Sequence, residues 1–99
     1  MKLLAATVLI SALPSLALAW TFADGYGHTF EGQGNKGCTK QDTKAGQTFK
    51  WVRNHWAFGG YCCIHLYETA SCGSEVGYAC EDWTKKSSKT VKSFKVDTC

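Results

Sequence analysis

The sequence predicts a small all-β domain held together by three disulfides, and three observations predict it. Six cysteines, an even number, fall in a chain of 99 residues. Short aromatic or β-branched runs alternate with polar residues, the period of a half-buried strand, while no stretch keeps apolar residues at i, i+3, i+4 and i+7. From Trp20 to Cys99 there are thirteen aromatics but only six branched aliphatics: Val52, Ile64, Leu66, Val76, Val91 and Val96. Rings and cystines must therefore make the core. A chain this short is one domain, since domains take roughly 100–200 residues each, and it cannot enclose a nucleotide-binding α/β fold.

Residues 1–19 read as an export signal. Lys2 supplies the positive start, Leu3 to Ile10 is apolar apart from Thr7, and Ala17-Leu18-Ala19 has the small-x-small pattern of a cleavage site. Ser11, Pro14 and Ser15 cut the apolar run short of the ~20 residues that a membrane span requires. The expected mature unit is Trp20 to Cys99, secreted and extracellular. Loss of Lys2 leaves ten Lys and Arg against eight Asp and Glu, a net charge of +2. In an oxidising compartment Cys38, Cys62, Cys63, Cys72, Cys80 and Cys99 read as three bridges, worth typically ~2–4 kcal/mol each. Excluding a bond between the adjacent Cys62 and Cys63 leaves twelve of the fifteen pairings open. Their spacings supply no short-reach ligand pair for zinc, and no metal or cofactor is expected.

The strand signals come in order. Trp20-Thr21-Phe22 alternates and stops at the turn pair Asp24-Gly25. Phe49 and Trp51 alternate with Thr48 and Lys50, and Phe94 and Val96 with Ser93 and Lys95. Cys63-Ile64-His65-Leu66-Tyr67 is apolar on both faces and belongs in the middle of a sheet. Gly59-Gly60 reads as the link between halves, and the remainder, including Gly32 to Thr43, reads as loop. Two short matches suggest a duplication: His28-Thr29-Phe30-Glu31 with His65-Leu66-Tyr67-Glu68, and Thr48-Phe49-Lys50-Trp51 with Ser93-Phe94-Lys95-Val96.

Two tandem strand-rich halves, with Tyr26 and Phe30-Glu31-Gly32 in the first and Ser93-Phe94-Lys95-Val96 closing the second, resemble the single-domain βγ-crystallin-like fold, whose secreted members include a yeast killer toxin and a microbial metalloproteinase inhibitor. Ile64-His65-Leu66-Tyr67-Glu68 with Cys72-Gly73 is similar to segments of small cysteine-rich proteins secreted by filamentous fungi. The resemblance implies a two-sheet Greek-key sandwich and an effector-like, virulence-associated role. It implies no calcium site, because Glu81-Asp82-Trp83-Thr84-Lys85 comes nearest to the family's calcium motif and lacks its second Ser.

Two catalytic chemistries are conceivable for these residues. A guanyl-type ribonuclease would use His28, Glu31, Arg53 and His55, but in a strand His28 and Glu31 point to opposite faces, and phosphoryl transfer needs its acid, base and cation on one phosphate. Glycosidase chemistry by Glu31 and Glu68 lacks room for a sugar cleft. The expectation is a non-catalytic binding protein. Trp83, Lys85, Lys86, Lys89, Lys92 and Lys95 form its candidate binding patch, five positive charges in eleven residues with no acid among them. Such a patch attracts acidic protein surfaces, cell-wall polymers or an anionic membrane surface. The expected partner is a host protein or a surface or wall component; a killer-toxin-like antimicrobial action is the alternative, and protease inhibition a third. A net charge of +2 is small for tracking phosphates, so nucleic acid is not expected. Trp51, Trp56, Phe58 and Trp83 invite a sugar-stacking reading, but with only six branched aliphatics most of these rings must serve the core; the unit is expected to be a monomer.

Overall fold

Eight antiparallel strands form two four-stranded sheets in the computed structural model, which describes residues 19–54 and 61–99. The strands are β1 (Trp20–Ala23), β2 (Thr29–Gly32), β3 (Lys36–Thr43), β4 (Thr48–Arg53), β5 (Cys63–Tyr67), β6 (Glu75–Ala79), β7 (Trp83–Lys86) and β8 (Val91–Asp97). The first sheet runs β2-β1-β4-β7 and the second β3-β8-β5-β6. There is no helix among the described residues, and none long and apolar enough to cross a membrane. The expected leader, apart from Ala19, and His55, Trp56, Phe58 and Gly59-Gly60 lie outside the described residues.

Alternation places the core. Trp20 and Phe22 of β1 and Phe49 and Trp51 of β4 turn one way, and Ile64, Leu66, Phe94 and Val96 of the second sheet meet them, all at most 2% exposed. Phe94 is the junction. Its ring centroid lies 5.0 Å from Phe22, 5.1 Å from Phe30 and 6.1 Å from Trp20, so one side chain of the second sheet packs on three rings of the first. Such offset and edge contacts add ~0.5–1.5 kcal/mol per pair beyond burial. Gly32 lets this packing close. A Cβ there would stand 2.6 Å from the Trp20 ring, whose Nε1 donates to the Gly34 carbonyl at 2.9 Å.

Asp24 ties the β1–β2 turn to β3. Its carboxylate accepts from the backbone N–H of Tyr26 (3.1 Å), His28 (2.8 Å) and Asp42 (2.9 Å), and lies 2.9 Å from His28 Nδ1. Burial pushes this carboxyl up, but the hydrogen bonds from Asp42 and His28 and the nearby His28 charge outweigh it and hold the group below its ordinary 3.8.

The bridges are Cys38–Cys72, Cys62–Cys99 and Cys63–Cys80. All three fasten the second sheet and its flanking loops; the first sheet has none. Cys62 is buried in the core, and the neighbouring Cys63 lies at the start of β5.

Two sequence expectations need correction. Gly32 to Thr43 is not a loop throughout, because β3 occupies Lys36–Thr43. Its residues carry no branched aliphatic, so the usual signal is missing. Pairing with β8, interrupted by two register shifts, and the Cys38–Cys72 bridge hold it as an edge strand. The loop reading of the remainder likewise misses β6 and β7. The duplication is also shifted. Thr48–Trp51 and Ser93–Val96 do occupy matching strands, β4 and β8. His28 precedes the edge strand β2, whereas His65 sits in β5, which takes the place in its sheet that β1 takes in the other.

Loop length orders the bridges. Pairing Cys62→Ala with Cys99→Ala opens a 37-residue link and should cost about 4 kcal/mol, against about 3 kcal/mol for the 17-residue Cys63–Cys80 link, read by urea unfolding. For Asp24, whose folded value is depressed, stability is present above pH 3.8 and is lost as pH falls through the lower folded value. Asp24→Ala should therefore cost about 2 kcal/mol at neutral pH and show a flatter acid limb when unfolding is followed from pH 7 downward.

Candidate functional site

Strand β7 lies at the edge of the first sheet, and its register with β4 sets which way its side chains turn. Trp83 stands opposite Trp51 and Lys85 opposite Phe49, so both face inward; Thr84 and Lys86 face out. Among the described residues no strand flanks β7 on its far side in the sheet, and Trp83 is half-buried and Lys85 exposed. The Trp83 ring meets Phe49 edge-on at 4.9 Å. On the other side β6 passes so close that a Cβ at Gly77 would stand 2.9 Å from the Trp83 ring and 3.2 Å from Leu66. The Lys85 ammonium lies 5.9 Å from the Trp83 ring centroid, a cation held over an aromatic face.

A cleft of about 80 Å³ opens here between the two sheets. Phe49, Leu66, Val76, Trp83 and Val91 give it apolar walls; the exposed Lys85, Ser88 and Lys89 and the buried Ser87 also line it and make its open surface mainly polar. The rim is fixed by hydrogen bonds. Ser87 Oγ donates to the Lys89 carbonyl and accepts from the Lys89 N–H, while the Ser87 N–H donates to the Gln47 carbonyl at 2.8 Å and the Gly46 N–H to the Ser87 carbonyl at 2.7 Å.

Of the candidate patch, the structure brings Trp83, Lys85 and Lys89 together at this cleft. Lys86 lies on the outer face of the first sheet, and Lys92 is exposed on β8. Lys95 stands opposite His65 on the outer face of the second sheet, its ammonium 5.8 Å from the Tyr67 ring. The acids are engaged elsewhere. Glu81 pairs with the buried Arg53 at 2.9 Å, Asp82 accepts from the Arg53 N–H at 2.8 Å, and Asp24 meets His28. Among the described residues every ion pair uses histidine or arginine, and none uses lysine.

A second cluster covers the outer face of β5. His65 Nε2 lies 2.9 Å from Asp97 of β8, and Nδ1 lies 3.2 Å from Glu75 of β6. Only an imidazolium donates to both carboxylates at once. Tyr78 packs on the imidazole at 4.7 Å, and Tyr67 stacks beyond it at 6.5 Å. Burial first, then the Glu75 and Asp97 carboxylates, raise the Tyr67 phenol above its ordinary 10.0. Sequence reading did not find this cluster, although alternation in Cys63–Tyr67 already sets His65 opposite Ile64 and Leu66.

The ribonuclease constellation does not assemble among the described residues. His28 lies beyond the Ala23 end of β1, whereas Arg53 stands at its Trp20 end and is bound to Glu81. Glu31, opposite Thr21, faces outward. His55 lies outside the described residues. Among the described residues no group of three His, Cys, Asp or Glu side chains is arranged to hold a metal ion. Searches for similar proteins give no match to a protein family, a curated protein or a solved structure.

The Tyr67 environment is open to titration. Glu75→Gln should lower the pKa of Tyr67 while leaving it above 10, because burial remains, in an ultraviolet titration of the phenolate. The Tyr67 contribution to stability is complete below pH 10 and fades as pH climbs through its raised folded value.

Proposed function

We propose that this chain is a secreted, non-catalytic, disulfide-stapled binding protein of effector-like, virulence-associated kind, acting on a host protein or on a host surface or wall component. The observation that carries the reading is the charge arrangement at the β7 edge. Among the described residues Lys85 and Lys89 pair with no carboxylate and border the cleft, while nearby Glu81 and Asp82 are turned to Arg53. A surface built this way keeps its cations for an external anion. Export is supported by the leader pattern and by three bridges in a domain whose core has few aliphatics. A crystallin-like Greek-key sandwich is supported by the strand orders β2-β1-β4-β7 and β6-β5-β8-β3, in which each half lends one strand to the other's sheet.

A second reading is an antimicrobial protein acting on the wall or membrane of competing microbes. One observation favours it: Lys86, Lys92 and Lys95 lie away from the cleft, spreading positive charge over several faces.

Immobilised oxidised protein should retain a partner from host tissue or isolated host wall, and Lys85→Glu with Lys89→Glu should release it. Deleting the gene should weaken colonisation. No retained partner and no deletion phenotype would end the effector reading. Growth inhibition of competing microbes, lost when Lys85, Lys86, Lys89, Lys92 and Lys95 all become Gln, would establish the second reading in its place.

A further inference from the structure

We infer that the β7 edge and the cleft behind it form a docking site for an extended acidic segment of a partner protein, which adds as a fifth strand to the first sheet and seats one apolar side chain in the cleft. The inference names the partner chemistry for the binding reading above and rests on it.

Three observations combine. The cleft is small. At about 80 Å³ it has room for one side chain, whose apolar part would meet Phe49, Leu66, Val76, Trp83 and Val91 between the polar groups of Lys85, Ser87, Ser88 and Lys89. The strand beside it is an edge: among the described residues β7 pairs only with β4, and Thr84, Lys85 and Lys86 are exposed. An edge strand carries a row of backbone donors and acceptors that an extended chain completes. The charges alternate with the strand period. Lys85 faces inward at the mouth of the cleft, with Lys89 on the turn beyond it, and Lys86 faces outward beside Thr48. An added strand presents successive side chains to opposite faces. Its inward residue therefore meets the cleft, inward carboxylates two residues away meet Lys85 and Lys89, and outward carboxylates next to it meet Lys86.

The rim is already in place. Ser87 is bound to Gln47 and Gly46 of the β3–β4 turn, so Lys89 projects from a fixed turn rather than from a free loop. A preformed mouth costs little ordering on binding.

The test uses the oxidised full chain and a fluorescently labelled acidic peptide with a single central Leu between Asp and Glu. Binding should raise its anisotropy. Replacing the peptide's Leu with Gly should weaken binding by about tenfold or more, the expected return from burying one leucine. Lys85→Glu with Lys89→Glu should weaken it at least as much. Both lysines are exposed, so the fold is retained, which the intact three bridges and the near-ultraviolet spectrum check. Backbone amides of β7 that face away from β4 should gain protection from hydrogen exchange when peptide is bound. Equal affinity for the Leu and Gly peptides would overturn the inference, because the cleft would then be unused. So would lysine-dependent binding of phosphatidylserine vesicles with no binding of the peptide, which would assign the surface to lipid. If the host partner is retained by Lys85→Glu with Lys89→Glu as well as by the unaltered chain, this site is wrong and the binding reading stands; if no partner is retained at all, the binding reading itself falls.

Discussion

Two adjacent cysteines fix the strand on which the rest of the second sheet is built. Cys62 and Cys63 precede and begin β5, and they are bonded to different ends of the fold, Cys99 at the C-terminus and Cys80 beyond β6. Successive residues of an extended chain point to opposite sides, so the pair holds β5 from the core side and from the outer side together. Its register cannot slip by one residue without exposing Ile64 and Leu66 and burying His65. From this follows the position of Leu66 in the cleft and of His65 between Glu75 and Asp97. The first sheet has no covalent tie. It is held by aromatic side chains seated on Phe94, with Gly32 giving Trp20 the space to lie flat.

Electrostatics and packing divide the surface into closed and open parts. On the outer face of β5, carboxylates from two neighbouring strands meet one imidazole, on which Tyr78 packs. That arrangement satisfies itself and offers little to a partner. Along β7 the pattern is the reverse. The aromatic lining there is incompletely covered, and the cations have no internal counterpart among the described residues. The contrast arises because Arg53, buried at the end of β4, draws Glu81 and Asp82 away from the lysines that follow them in sequence.

How much of this was legible in the sequence differs from strand to strand. Where one face is apolar the alternation is visible, as in Trp20-Thr21-Phe22, Phe49 to Trp51 and Phe94 to Val96, and these became β1, β4 and β8. Strand β3 was not legible, because Lys36–Thr43 owes its extension to pairing with β8 and to a bridge, neither of which leaves a local apolar period. The disulfide set was legible as a count; its connectivity depends on which loops the fold brings together. Trp83, Lys85 and Lys89 stood out as charges beside a ring. The cleft itself did not, since Phe49, Leu66, Val76 and Val91 come from four strands scattered along the chain. A linear scan sees their types but not their convergence.

The exchange of β3 and β7 between the sheets has a consequence for what this chain is able to be. Neither half is complete, because each must borrow its outermost ribbon from the other. A fragment ending near the midpoint would leave its rings bare and would recover closure only by trading that ribbon with an identical fragment across a twofold axis. Cohesion here is reciprocal, so the smallest unit able to persist in water is the pair of halves, whether joined in one polypeptide or met as two.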